Sequence, residues 1–97
     1  MPTYVTLFKM TEQGIKNIKD APARTEEAIK TAESLGGKVI GVYAVMGEYD
    51  YVAIGEAPND ETHMALVLAI GAQGNAKSTT LKAFTLEEFG GIIKKLP

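Results

Sequence analysis

The chain contains no cysteine. That excludes a disulfide framework, a thiol nucleophile and a thiolate metal site, and it fits a cytoplasmic location. Neither charge sign dominates: 10 Lys and Arg stand against 12 Asp and Glu, for a net charge of −2. The two signs are mixed along the chain, so there is no basic stripe for nucleic acid and no polybasic patch for a membrane surface. The longest apolar run, Met64 to Ala72, falls far short of a membrane span. The N-terminus enters an alternating segment directly, without a charged-then-apolar signal pattern. A soluble, intracellular, cytoplasmic protein is expected, with neither nucleic acid nor membrane as a partner. Also missing are a Ser/His/Asp spacing, a P-loop and a glycine-rich dinucleotide turn; the glycines are scattered turn and cap residues. No catalytic residue, cofactor or metal is assigned.

Residues 1–97 form one small domain without linker, repeat or low-complexity stretch. A domain this size is only modestly stable alone, and without disulfides or metal a common remedy is oligomerisation.

The stretch Lys38 to Ala57 organises what is present. It reads as two apolar strands, Lys38 to Met46 and Tyr49 to Glu56, joined by a tight turn Gly47-Glu48-Tyr49-Asp50. Before it, Pro2 to Met10 alternates as a first strand, with Val5 and Leu7 on one side and Tyr4, Thr6 and Phe8 on the other. Thr11 to Leu35 reads as one long helical crossover, weakened at Gly14 and kinked near Asp20, where Asp20 caps and Pro22 sits in a first turn. After it, Pro58 stops the third strand and Asn59 or Asp60 caps a second helix. Met64, Val67, Leu68 and Gly71 are its expected inward face, and apolar character most of the way round suggests cover on more than one side. Ala76 to Thr85 alternates as a fourth strand. Leu86 to Leu96 reads as a C-terminal helix weakened by Gly90-Gly91.

The order strand, helix, strand, strand, helix, strand, with right-handed crossovers, specifies an α+β fold of the ferredoxin-like βαββαβ type. It is a sandwich: a four-stranded antiparallel sheet has both helices on one face, and a short C-terminal helix is added. The sheet is then too apolar for one face to stay wet. Alternation gives the second strand Val39, Tyr43 and Val45 on one side against Ile40, Val42 and Met46 on the other. Burying roughly 300 Å² of apolar surface from each of two copies contributes about 15 kcal/mol gross, against an association cost of about 4–15 kcal/mol. A homodimer packed sheet to sheet, or a higher homo-oligomer through edge strands, is expected.

Several ordered blocks carry a family resemblance. Gly47-Glu48-Tyr49-Asp50 with Tyr51-Val52, then Glu56-Ala57-Pro58-Asn59-Asp60-Glu61, resembles the GYD domain family. The likeness continues in Asp20-Ala21-Pro22-Ala23-Arg24, Gly36-Gly37-Lys38, and Thr79 to Thr85 followed by Glu87-Glu88, so it covers nearly the whole chain. Glu48, inside the motif that names the family, is the one visible departure. The resemblance implies a ferredoxin-like dimeric α/β barrel, usually bacterial or archaeal, and implies no activity. The hairpin is also similar to that of the ligand-sensing domains of leucine- and asparagine-responsive transcription regulators, which bind small molecules between subunits. Without a DNA-binding domain, only the sensing half applies to this chain.

Five residues are candidates for holding a small-molecule ligand: Arg24, Tyr43, Tyr49, Asp50 and His63. Tyr49 and Asp50 offer a hydroxyl and a carboxylate, though Asp50 is equally suited to accept turn N–H groups. His63, the only histidine, suits a proton shuttle or a surface position near Asp60 and Glu61. Arg24 lies in a helix's first turn, where positive charge is mildly unfavourable, which invites an anionic partner or leaves it solvated. The aromatics Tyr4, Phe8, Tyr43, Tyr51 and Phe84 suit core packing or a pocket lining. Lys82 suits an edge-strand guard or a pocket cation. The sum is a small homo-oligomeric binding or interaction module. The alternative is a cofactor-independent enzyme of the dimeric α/β-barrel type, monooxygenase- or isomerase-like.

Overall fold

The computed structural model describes residues 1–97 and places the alternating N-terminal segment, Thr3–Met10, as strand β1. A short helix α1 (Glu12–Lys16) and a single 3₁₀ turn (Ile18–Asp20) lead into α2 (Ala21–Ser34). Strands β2 (Lys38–Ala44) and β3 (Tyr51–Glu56) follow, then α3 (Asp60–Ala72), β4 (Ala76–Ala83) and α4 (Leu86–Ile93). The sheet order is β2-β3-β1-β4 and every pairing is antiparallel. This is the ferredoxin-like α+β arrangement, with β1 and β3 central.

The expected single crossover helix breaks where Asp20-Ala21-Pro22 places a proline at the start of α2. Gly14 is a close approach rather than a weak point. A Cβ there would lie 2.1 Å from the Asn75 carbonyl oxygen, so only glycine lets α1 lie on the turn before β4. That contact is fastened by Thr11, whose N–H donates to Asn75 O at 3.0 Å and whose hydroxyl donates to Gly74 O at 2.6 Å.

The hairpin is looser than the tight turn expected from the sequence. β2 stops at Ala44 and β3 starts at Tyr51, and the Val45 N–H donates to Asp50 O at 2.9 Å across the gap. Gly47, at the tip, has φ +113°, a region that side-chain-bearing residues rarely enter. Strict alternation also fails in β2. Pairing steps from Val39↔Gly55 to Gly41↔Ile54, leaving Ile40 as a bulge. Val39 therefore does not share a face with Tyr43. Val39 and Val42 turn to the helices, and Tyr43 turns away, its ring lying over Gly41.

Helices α2 and α3 both cover the face that carries Tyr4, Thr6 and Phe8. The inward side of α3 is His63, Leu66, Val67 and Ile70. Of the expected inward set only Val67 is on it; Met64 and Leu68 are 57% and 63% exposed. The rotation follows from the cap: Asn59 accepts the Thr62 N–H at 2.8 Å and so fixes the helix start. After β4, Thr85 and Glu88 form a reciprocal capping box that begins α4. No helix is long and apolar enough to cross a membrane.

Candidate functional site

The inner side of α2 carries Ala21, Thr25, Ala28 and Ala32 beside the larger Ile29, and it faces Ala53 and Gly55 of β3. Where small side chains face each other across the two layers, they leave space between helix and sheet. Tyr4, 3% exposed, is the one large side chain that is buried. The space left is a cavity of about 170 Å³, walled chiefly by apolar side chains that include Phe8, Ile29, Val42, Leu66, Val67 and Ile70. It reaches the surface at opposite ends of the sheet, near exposed Lys38 and Gln73.

One wall carries a polar cluster. The β1–β4 register sets Tyr4 beside Lys82 and Thr6 beside Thr80. Asp60 and His63, three apart on α3, lie over those pairs. The Tyr4 hydroxyl donates to Asp60 Oδ1 at 2.5 Å, and Lys82 Nζ lies 2.9 Å from the same oxygen and 3.1 Å from Oδ2. The His63 ring stacks on Tyr4, with centroids 4.2 Å apart and planes 3° from parallel. Its Nε2 lies 3.3 Å from Thr6 Oγ1 and 3.2 Å from Thr80 Oγ1.

These contacts set the protonation states. Burial, then the hydrogen bond to Asp60, pushes the Tyr4 phenol up to about 12, so it stays a donor. The Tyr4 hydroxyl and then Lys82 hold Asp60 below the usual carboxylate range. Burial lowers the His63 pKa, against a smaller opposing pull from Asp60. A neutral imidazole at neutral pH is therefore presented to an apolar space. No three His, Asp or Glu side chains converge as a metal site.

Of the five residues singled out in the sequence, Arg24 and His63 line this cavity. Arg24 Nη1 donates to Asn17 O at 2.8 Å, with Nη2 3.5 Å from Gly14 O, tying α2 to α1. Asp50 lies outside the cavity lining. Its Oδ2 accepts the Met10 N–H at 2.7 Å and its own N–H donates to Phe8 O at 2.8 Å, continuing the β1–β3 ladder past the end of β3. Tyr49 is half-buried in the hairpin loop, and Tyr43 is on the opposite face, 61% exposed. Sequence reasoning gave Thr6 and Asp60 only strand and cap roles, and offered pocket lining for Tyr4 and a pocket cation for Lys82 beside their packing and edge roles. The one available signal was that Tyr4, Thr6, Thr80 and Lys82 each fall on the parity of their strand that could share a face.

The face opposite the helices has no cover. Val5, Leu7, Val52 and Ile54 run along its middle, half-buried by one another, and Tyr43 and Leu81 flank them at 61% and 49% exposure.

Residues 4–93 match the GYD domain family. The chain belongs to that family. A GYD-domain relative from Thermus thermophilus is 32% identical over 89 residues, covering 91% of this chain and 94% of the relative. It is named glutamine synthetase and cystathionine beta-lyase binding protein. Among solved structures, the leucine response regulatory protein LrpA of Mycobacterium tuberculosis superimposes with a TM-score of 0.66 at 20% identity, over 87% of this chain and 51% of LrpA. The GYD chain thus spans about half the length of that regulator. TTHA0845 from Thermus thermophilus superimposes with a TM-score of 0.57 at 24% identity, over 88% of this chain and 95% of the other. These two structures share the fold.

Proposed function

We propose that this GYD-domain chain is a cytoplasmic homo-oligomeric binding module. Two copies associate through the uncovered sheet face, and the helix–sheet cavity of each takes up a small, mainly apolar molecule. The cavity carries this reading: about 170 Å³ of mostly apolar lining, in a chain whose one large buried side chain is Tyr4. The space opens to solvent at both ends, so an apolar molecule entering it gains by displacing water from its mostly apolar walls. A void of about 150 Å³ is enough for benzene, so the occupant is an aromatic or branched aliphatic group of that size. His63 supplies one hydrogen-bonding group to orient it. Native mass spectrometry of the purified protein tests this, followed by a thermal-shift panel of small aromatic and branched aliphatic compounds. A bound small molecule, or a compound that raises Tm, supports the reading. Protein that is ligand-free and indifferent to the whole panel refutes it.

A second reading is favoured by the Thermus relative, whose name describes binding to two enzymes, glutamine synthetase and cystathionine beta-lyase. On that reading the partner is a protein. Co-sedimentation with purified glutamine synthetase and cystathionine beta-lyase tests it: a stable complex supports it, and independent sedimentation with both refutes it.

A further inference from the structure

We propose that the occupant of the helix–sheet cavity is a monocarboxylic acid with a small aromatic or branched aliphatic body, its carboxylate held at Arg24. The inference rests on the small-molecule reading above and names the class of ligand. Arg24, Lys38 and Glu56 are the side chains of full charge that line the cavity. Lys38 and Glu56 stand opposite each other in the β2–β3 register, so the two signs balance at their end of the sheet. Arg24 has no such counterpart. The ion pairs of the protein are Lys16–Glu12, Lys30–Glu27 and Lys82–Asp60, and none includes it. Asp20, four residues earlier, is spaced for an ion pair with Arg24 but forms none. Asp50 accepts the Met10 N–H instead.

The partners Arg24 does have are neutral: the Asn17 carbonyl at 2.8 Å and the Gly14 carbonyl at 3.5 Å. They use two of the five guanidinium N–H groups and none of the charge. Tying α2 to α1 needs a donor, not a cation. Positive charge in the first turn of α2 also works against the helix's own positive end, and no acidic residue there offsets it. A half-buried cation beside apolar walls is thus left for an anion to complete. Further donors line the same end. Gly14 lies against Asn75, and Asn75 and Gln73 both line the cavity. Asn75 Oδ1 accepts from Gln13 Nε2 at 2.9 Å, which leaves its Nδ2 to donate. The planar guanidinium fork matches the two oxygens of a carboxylate. One uncompensated positive charge balances one negative charge, which a carboxylate carries and a phosphate monoester exceeds. About 170 Å³ takes a body the size of benzene, with the carboxylate at the mouth near exposed Gln73.

The test is calorimetric titration of the full-length, ligand-free protein at pH 7 with benzoate, its neutral isostere benzamide, toluene and phenyl phosphate. Benzoate should bind about 10- to 100-fold more tightly than benzamide or toluene. Arg24→Met should bring the benzoate-to-benzamide ratio close to one. That variant also gives up the tie to α1, so Gln73→Glu is titrated beside it. The Gln73 side chain is exposed and only its backbone carbonyl holds α1, so this change puts a like charge at the mouth and spares the contact. It too should lower the ratio, and it decides the matter if Arg24→Met loses its circular dichroism. Benzamide or toluene binding as tightly as benzoate, or a ratio that survives in the folded variants, overturns the anionic head and leaves the apolar cavity standing. Phenyl phosphate binding more tightly than benzoate overturns the carboxylate class. Binding of none of the four defeats the small-molecule reading together with this one.

Discussion

Replacing Ala28 with leucine asks whether the space beneath α2 is empty. Ala28 lines the cavity from the middle of α2, opposite β3, where Ala53 leaves room. The substitution adds three carbons and changes helix propensity little. If the added atoms enter a void of about 170 Å³, each contributes about 0.8 kcal/mol of burial, so the upper bound is about 2.4 kcal/mol. Side-chain ordering reduces this to roughly 1–2 kcal/mol. If the region were already filled, the same insertion would cost about 1–3 kcal/mol. The two cases differ in sign, so no fine calibration is needed. In a domain of this length 1 kcal/mol moves Tm by about 4–8 °C, and a rise of about 5–10 °C is expected. The assay is scanning calorimetry with urea denaturation, on refolded ligand-free protein at one fixed concentration, because an oligomer's Tm depends on concentration. The urea midpoint should rise with an unchanged m-value. The variant should also lose any response to small apolar compounds. A fall in Tm would refute the cavity and the ligand proposal drawn from it.

Three further outcomes follow from the same contacts. His63 has a folded pKa below its unfolded value near 6.5, so its contribution is complete above about pH 6.5 and is lost as pH falls through the folded value. Tm should therefore fall between pH 7 and pH 5, and His63→Gln should flatten that slope; a parent Tm constant over the window contradicts the assignment. Asp60 is also lowered, but its loss begins only below its ordinary value of 3.8 and does not overlap that window. Asp50→Ala removes the acceptor of the Met10 N–H and should cost about 1–3 kcal/mol in urea denaturation, with no change in the ligand response if Asp50 serves only the ladder. Tyr43→Glu should shift the assembly towards monomer in sedimentation, whereas Val42→Glu, which puts a carboxylate on the helix side, should lower Tm at every concentration; the reverse pattern would contradict the face assignments.

The architecture was legible because it depends on local signals. Alternation in Thr3–Met10, the proline at the start of α2 and the asparagine cap of α3 each mark an element on their own. What failed depended on one-residue details or on distant partners. Alternation put Val39 with Tyr43 because a bulge at Ile40 has no sequence signature among apolar residues. The apolar surround of α3 gave no preferred side, and the cap-set rotation then hid Met64 and Leu68 from the sheet. Gly14 looked like a helix breaker because the Asn75 carbonyl that excludes a side chain is 61 residues away in sequence. The Tyr4–Asp60 bond joins residues 56 apart, and nothing local to either predicts it. Asp50 was readable as a turn acceptor, and the structure gives it Met10 as its partner. The cavity was the least legible feature. Alanines at helical spacing read as ordinary packing until the opposing strand is seen to offer Ala53 and Gly55 as well.

The uncovered sheet face makes the sharpest demand on experiment, and equilibrium sedimentation of the unmodified protein at micromolar concentration meets it most directly. The expected result is a species of twice the 10.4 kDa chain mass, or a higher even multiple, with dissociation only on strong dilution. A well-folded species of one chain mass across the whole concentration range would contradict it.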